Sequence, residues 1–167
     1  RDARAHYRDV VHTKREATHA AAAAKRKDAA VLARLKKQEQ RIKERIMRVA
    51  ARSRGGYRGS AGGFLTSPVQ GTVTSPFGYR MHPIYHYWGL HDGTDFGVSC
   101  GQGMVAVADG TVLQKYYSSV YGNRLYVGLG QVNGHYLTAV YNHATGYRVG
   151  VGDHVSRGEV VGYVGST

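Results

Sequence analysis

Hydrophobic and polar positions along this chain follow two different rules. Over residues 1–52 Ala, Lys, Arg, Glu, Gln and Leu dominate, and neither Gly nor Pro occurs before residue 55. Nothing there breaks a helical ladder, so the stretch predicts one long α-helix, about 80 Å at 1.5 Å per residue. In its second half Leu32, Leu35, Glu39, Ile42, Ile46 and Val49 recur at alternating steps of three and four. That is a heptad seam with one acidic defect, and it predicts a partner helix or a homodimer through Leu32, Leu35, Ile42, Ile46 and Val49. Upstream the register decays into Lys25, Thr18 and Lys14.

From Pro68 onward the pattern changes to short runs rich in Val, Thr and Tyr between glycine-bearing turns, as in all-β folds. Residues 104–108 and 111–117 flank Asp109-Gly110, and residues 124–130 and 135–142 flank Asn133-Gly134. Both dipeptides are two-residue hairpin signals. In the second pair Leu125, Val127 and Leu129 alternate with Tyr126 and Gly128, giving one apolar and one mixed face. Residues 159–164 predict a further strand. The expected outcome is an antiparallel sheet folded on itself.

Composition sharpens the division. All 23 glycines and all three prolines follow Arg54. Residues 1–60 hold 18 Lys and Arg against 6 Asp and Glu, whereas residues 61–167 hold 5 against 5. The expected parts are a basic helical arm at 1–54, a linker at 55–66 and a β domain at 67–167. Gly55, Gly56, Gly59, Ser60, Gly62 and Gly63 make the linker read as a flexible tether. A β domain of zero net charge has no reason to track a phosphate backbone, which excludes nucleic acid as its partner. The arm reads as a solvated coiled-coil spacer, because its charges are spread around the helix; the competing reading is an arm that binds anionic wall polymers or a membrane surface.

Cys100 is the single cysteine and makes no internal disulfide, so it is either a small buried residue or half of a bridge to a cysteine elsewhere. No apolar run is long enough to span a bilayer. With Arg as its first residue and no signal segment, the chain reads as a piece of a longer, already exported polypeptide.

Candidate chemistry centres on His91-Asp92-Gly93-Thr94-Asp95, an imidazole and a carboxylate four residues apart. Both are good zinc ligands. In a straight strand their α-carbons would lie about 13 Å apart, too far to share one ion, so the segment must bend, and Gly93 is the expected pivot. A lone His-x-x-x-Asp is weak evidence by itself.

Context strengthens it. Gly-Leu-His91-Asp-Gly-Thr-Asp95-Phe-Gly is followed by Val105-Ala-Val-Ala-Asp-Gly-Thr-Val, then Tyr141-Asn-His143, then a run from Val149 to Thr167 containing Gly-Asp-His-Val-Ser-Arg-Gly-Glu. Upstream stands Ser67-Pro-Val-Gln-Gly-Thr-Val-Thr-Ser-Pro-Phe-Gly-Tyr-Arg80-Met-His-Pro-Ile. In this order the run resembles the lysostaphin and LytM type of zinc metallopeptidase, enzymes that cut peptide cross-links in bacterial peptidoglycan. The resemblance implies a mainly β, antiparallel peptidase domain behind the long coiled-coil helix, a Zn2+ cofactor, a peptidoglycan peptide as substrate and a place in the cell envelope or outside the cell. It makes His91 and Asp95 zinc ligands. His143 becomes the catalytic histidine that handles the proton of a metal-activated water and stabilises the oxyanion. The residues agree with that, since Glu159 is the domain's sole glutamate and is far from the metal motif in sequence, leaving a histidine as the better base.

The family's last motif, a His-x-His carrying the third ligand and a second catalytic histidine, is expected just beyond Thr167, so residues 1–167 alone are expected to be metal-poor and inactive. His135 and His154 read as surface positions. His82 and His86, beside Tyr85, Tyr87 and Trp88, read as shaping a substrate groove; Arg80, Tyr85 and Tyr87 are the candidate substrate contacts, or the aromatics simply cover an open sheet. The main alternative is a catalytically inactive relative that regulates other wall hydrolases through its coiled coil, against which the retained His91, Asp95 and His143 count. A lipoyl or biotinyl carrier needs an exposed hairpin lysine, and Lys115 lies inside a strand pattern.

Overall fold

The computed structural model describes residues 2–53, 56–58, 61–81 and 88–167. They form two compact units, Arg1–Glu44 and Arg45–Thr167. The composition break after Arg54 falls inside the second.

The long helix is present as α1, Asp2–Arg52. Asp2 in the first turn and Arg52 in the last complement the helix dipole. At the end Ser53 N–H turns back to the Val49 and Ala50 carbonyls, 3.1 and 3.2 Å away. Within the first unit Leu32 of the seam is exposed. Among the described residues no helix is long and apolar enough to cross a membrane.

In the second unit a short helix α2, Ala61–Phe64, precedes eleven strands: β1 Thr72–Ser75, β2 Gly78–Met81, β3 Trp88–His91, β4 Asp95–Gly97, β5 Gly103–Val105, β6 Gly110–Ser118, β7 Gly122–Val132, β8 His135–Ala144, β9 Gly146–Tyr147, β10 His154–Val155 and β11 Val160–Tyr163. Among the described residues all strand pairs are antiparallel. The central sheet runs β10-β6-β7-β8, a three-stranded sheet runs β5-β11-β9, and β1-β4 and β2-β3 form two ribbons. The fold is mainly antiparallel β behind one long helix, as the pattern predicts.

One hairpin is where the sequence puts it. Val132 pairs with His135, and the intervening Asn133 and Gly134 have φ of +51° and +83°, the left-handed pair that Asn-Gly accepts at low cost. The other is corrected. β5 and β6 do not pair; Asp109-Gly110 carries the chain from the three-stranded sheet into the central one. The Asp109 carboxylate is occupied differently, accepting the Arg157 N–H at 2.7 Å. A Cβ on Gly110 would meet the Gly128 carbonyl at 2.7 Å, so glycine here serves close strand packing and not a hairpin.

The core lies between the sheets and is built from Val112, Leu125, Val127, Tyr141, Ala144 and Val155 of the central sheet with Met104, Ala106, Val149 and Val161. Leu125 and Val127 are fully buried, as their alternation predicts. Tyr141 and Tyr147 tie elements together with their hydroxyls: Tyr141 donates to Val105 O and accepts from Val107 N–H, and Tyr147 reaches Asn123 O and Tyr141 O. Burial raises both phenols above the ordinary value.

The expected free tether also differs. Tyr57 exchanges backbone hydrogen bonds with Gln131 and Asn133 and forms a parallel bridge to Val132. Its ring stacks on Phe64 at 5.0 Å, and the Arg157 guanidinium donates to the Gly63 and Leu65 carbonyls. Two aromatics among six glycines and serines supply enough apolar surface to dock the described part of this segment.

Candidate metal and catalytic site

The ribbon β2-β3 carries His91 at the end of β3, paired with Gly78, and β4 begins at Asp95, paired with Ser75 of β1. The chain bends at Gly93 between them. The bend is as expected, but its cause is not: Gly93 has no left-handed φ and open space where a Cβ would stand, so the bend comes from the change of strand partner from β2 to β1.

That bend brings His91 Nε2 and Asp95 Oδ2 to 3.3 Å. On its other edge His91 Nδ1 lies 2.9 Å from the Pro76 carbonyl and 3.3 Å from Ser75 Oγ. A carbonyl only accepts, so Nδ1 carries the proton that bonds it, and Nε2 is the nitrogen that faces Asp95. A backbone carbonyl fixing the far nitrogen is the usual support of a metal-ligating histidine. The spacing fits as well, because two donors about 2.0–2.1 Å from a tetrahedral ion stand about 3.3 Å apart. His91 is 16 % exposed and Asp95 54 %, so the pair is reachable from solvent. Among the described residues no group of three or more His, Cys, Asp or Glu side chains is gathered at one point. His82 and His86 lie outside the described residues, as do Tyr85 and Tyr87.

His143 is placed by a β-bulge. Asn123 pairs with Ala144 and Leu125 with Tyr141, so the single residue Arg124 on β7 faces both Asn142 and His143 on β8. An extra residue on one strand re-aims the side chain beside it. His143 accordingly takes a left-handed φ of +56°, which costs a non-glycine residue on the order of 1 kcal/mol. Its N–H leaves the ladder and donates to Tyr121 O at 2.9 Å. The Tyr121 hydroxyl in turn donates to Asp92 Oδ2 at 2.9 Å. Tyr121 therefore joins the His143 bulge to the residue next to His91. The exposed His143 ring touches the Thr167 carbonyl through Nδ1.

Arg80 sits on β2 opposite Gly89, on the same face of the ribbon as His91, and its Nε is buried without a hydrogen-bond partner among the described residues. His135 and His154 are exposed surface positions, the latter bonded to Thr111 Oγ1. Cys100 is exposed and free, so the buried reading does not hold. Glu159 is used in its own turn, where it accepts the Ser156 N–H, and Lys115 lies in β6 with its ammonium on the Val149 carbonyl. The sequence reading missed Asp92, Tyr121, Arg124 and Asn142. A charged residue at the Tyr126 face of an otherwise apolar strand was the available signal.

Comparison with known proteins now bears on this geometry: residues 89–167 match the model of Peptidase family M23. Those residues are similar to a family M23 peptidase domain. His91, Asp95 and His143 fall inside the M23 match, and Arg80, Tyr85 and Tyr87 lie ahead of it. The chain is 41% identical over 107 residues to the DD-carboxypeptidase/endopeptidase Mpg of Neisseria meningitidis, covering 64% of this chain and 24% of that protein. To lysostaphin of Staphylococcus simulans it is 33% identical over 91 residues, 54% of this chain and 18% of that protein. The chain thus spans about a quarter or less of the length of these curated relatives. A solved zinc-containing peptidase from Vibrio cholerae superposes with a TM-score of 0.56 at 29% identity, over 62% of this chain and 32% of that one.

Proposed function

We propose that this M23 domain is a zinc-dependent endopeptidase acting on the peptide cross-links of bacterial peptidoglycan, in the cell envelope or outside the cell. The observation that carries the reading is the His91–Asp95 pair, with two donor atoms 3.3 Å apart and the far imidazole nitrogen held by Pro76 O. His91 Nε2 and Asp95 Oδ2 would hold the ion, with a further donor completing the set. A zinc ion bound there supplies Lewis acidity, acidifying water and polarising a carbonyl.

The chain's own residues do the rest. Asp95 contributes the negative charge that favours a dication over water. His143, exposed at its bulge, would take a proton from the nucleophilic water and return it to the leaving amine at its imidazole. Tyr121 keeps that ring's backbone and the His91 corner in one frame. Arg80, on the His91 face of the ribbon, is a candidate partner for a substrate carboxylate. The basic arm, with its seam at Leu32, Leu35, Ile42, Ile46 and Val49, serves as a spacer or a pairing helix.

Two protein donors grip zinc less tightly than three. The test compares the 167-residue chain with the same chain extended by the His-x-His strand of a lysostaphin-type enzyme. The expected result is weak zinc binding and little wall hydrolysis from the first, and chelator-sensitive release of new amino termini from cross-linked peptidoglycan by the second. His143→Ala in the extended chain is expected to keep zinc and lose hydrolysis. Loss of zinc in that variant would show the roles misassigned; zinc binding without cleavage would favour a regulator of other hydrolases.

A further inference from the structure

Arg124 is the residue that the site description leaves unexplained. It is 8 % exposed, and among the described residues no carboxylate pairs with it. Burying a guanidinium without a counter-charge is costly, and an aliphatic side chain would fill the same space more cheaply. Its contacts show what it does there. Nε donates to Asn142 Oδ1 at 2.8 Å, and Nη1 donates to Tyr116 OH at 3.2 Å. The guanidinium lies 3.9 Å from the centre of the Tyr121 ring, 5.2 Å from that of Tyr126 and 5.9 Å from that of Tyr116. A planar cation among aromatic rings is held by their negative faces.

We propose that Arg124 is a positioning residue that clamps the His143 bulge to Tyr121, and through Tyr121 to the His91 corner. The inference rests on the proposed role of His143. Arg124 is the one residue opposite the bulge, and it touches both sides of it. Asn142 is the bulge residue next to His143. Tyr121 accepts the His143 N–H with its carbonyl and donates its hydroxyl to Asp92. A left-handed histidine persists only where its surroundings over-determine it, and this pair of contacts supplies that. Lysine keeps the charge but has neither the plane to stack on Tyr121 nor the fork to reach Asn142 at the same time.

The test uses the 167-residue chain and amide hydrogen exchange read residue by residue, which needs no activity. In Arg124→Lys the His143 amide is expected to exchange about tenfold faster, the equivalent of one lost hydrogen bond, while Leu125, Val127 and Tyr141 keep wild-type protection. Asn142→Ala, which leaves Arg124 and the core in place, is expected to produce the same rise if Arg124→Lys folds poorly. Zinc affinity, from chelator competition, is expected to fall about tenfold in Tyr121→Phe and in Arg124→Lys, and no further in the double variant, because both act through one contact. Unchanged His143 protection in both Arg124→Lys and Asn142→Ala overturns the proposal. A uniform rise across β6, β7 and β8 also overturns it, since Arg124 would then be a general stabiliser. A chain extended by the His-x-His strand that still takes up no zinc removes the metal reading of the site and leaves the exchange result to decide the role of Arg124.

Discussion

His91 Nε2 and Asp95 Oδ2 stand 3.3 Å apart across three intervening residues, held by two different strand partners. Because β2 fixes one donor and β1 the other, the pair is set by the framework and not by a flexible loop. His91→Ala and Asp95→Ala are each expected to lower zinc affinity of the chain by at least about tenfold, the smallest loss typical of even an outer-shell change. Competition with a chromophoric chelator measures it. An Asp95→Ala variant that binds as the wild type does would remove the carboxylate from the ligand set.

The pairing of β11 with β9 depends on Gly162. A Cβ there would stand 2.5 Å from the Gly146 carbonyl and 2.7 Å from Tyr147 Cδ1. Gly162→Ala is expected to destabilise the second unit by about 1–3 kcal/mol, the usual range for overpacking, and Leu125→Ala by about 2–5 kcal/mol through the cavity it leaves. Urea unfolding followed by tyrosine fluorescence reads both. A Gly162→Ala variant as stable as the parent would mean that the two strands separate freely.

Alkaline pH should weaken the fold through Tyr147 and Tyr141. Burial raises the Tyr147 phenol; Arg124 offsets part of that rise and Tyr141 adds to it. For Tyr141 burial again raises it, against a smaller lowering by its bond from Val107. The folded values lie above the unfolded value of 10.0, so the unfolded chain gives up these protons first. The stability they contribute is intact below pH 10 and is lost as the pH climbs toward the folded values. Denaturant midpoints collected from pH 8 upward should therefore drop beyond pH 10, and drop less steeply in Tyr147→Phe. Parallel curves for the two proteins would rule this linkage out.

The seam of α1 makes a separate prediction. With Leu32 exposed and Leu35 and Ile46 only half-buried, the chain is expected to associate as its concentration rises, and Leu32→Glu with Leu35→Glu to abolish that association. Sedimentation equilibrium gives the answer directly. A monomer at all concentrations would leave the helix as a spacer.

Much of this was legible in the residues, and what was not has identifiable causes. The α1 ladder, the Asn133-Gly134 turn and the Leu125/Val127 alternation are local signals, and each is found as read. Asp109-Gly110 has the same local signal as Asn133-Gly134 but sits between two sheets, where distant partners in β11 and β7 outcompete a hairpin. The docked tether was hidden for a similar reason: its glycines are adjacent in sequence, whereas the surfaces that Tyr57 and Phe64 meet are not. At the site, His91 and Asp95 announce themselves by type and spacing. Tyr121, Arg124 and Asn142 act through a bulge, and a bulge is a mismatch between two strands that neither strand reveals alone.

The bridge between Tyr57 and Val132 fastens the segment after α1 to the tip of the β7-β8 hairpin, whose opposite end bears His143. One hairpin thus carries the docked segment at one end and the candidate catalytic histidine at the other.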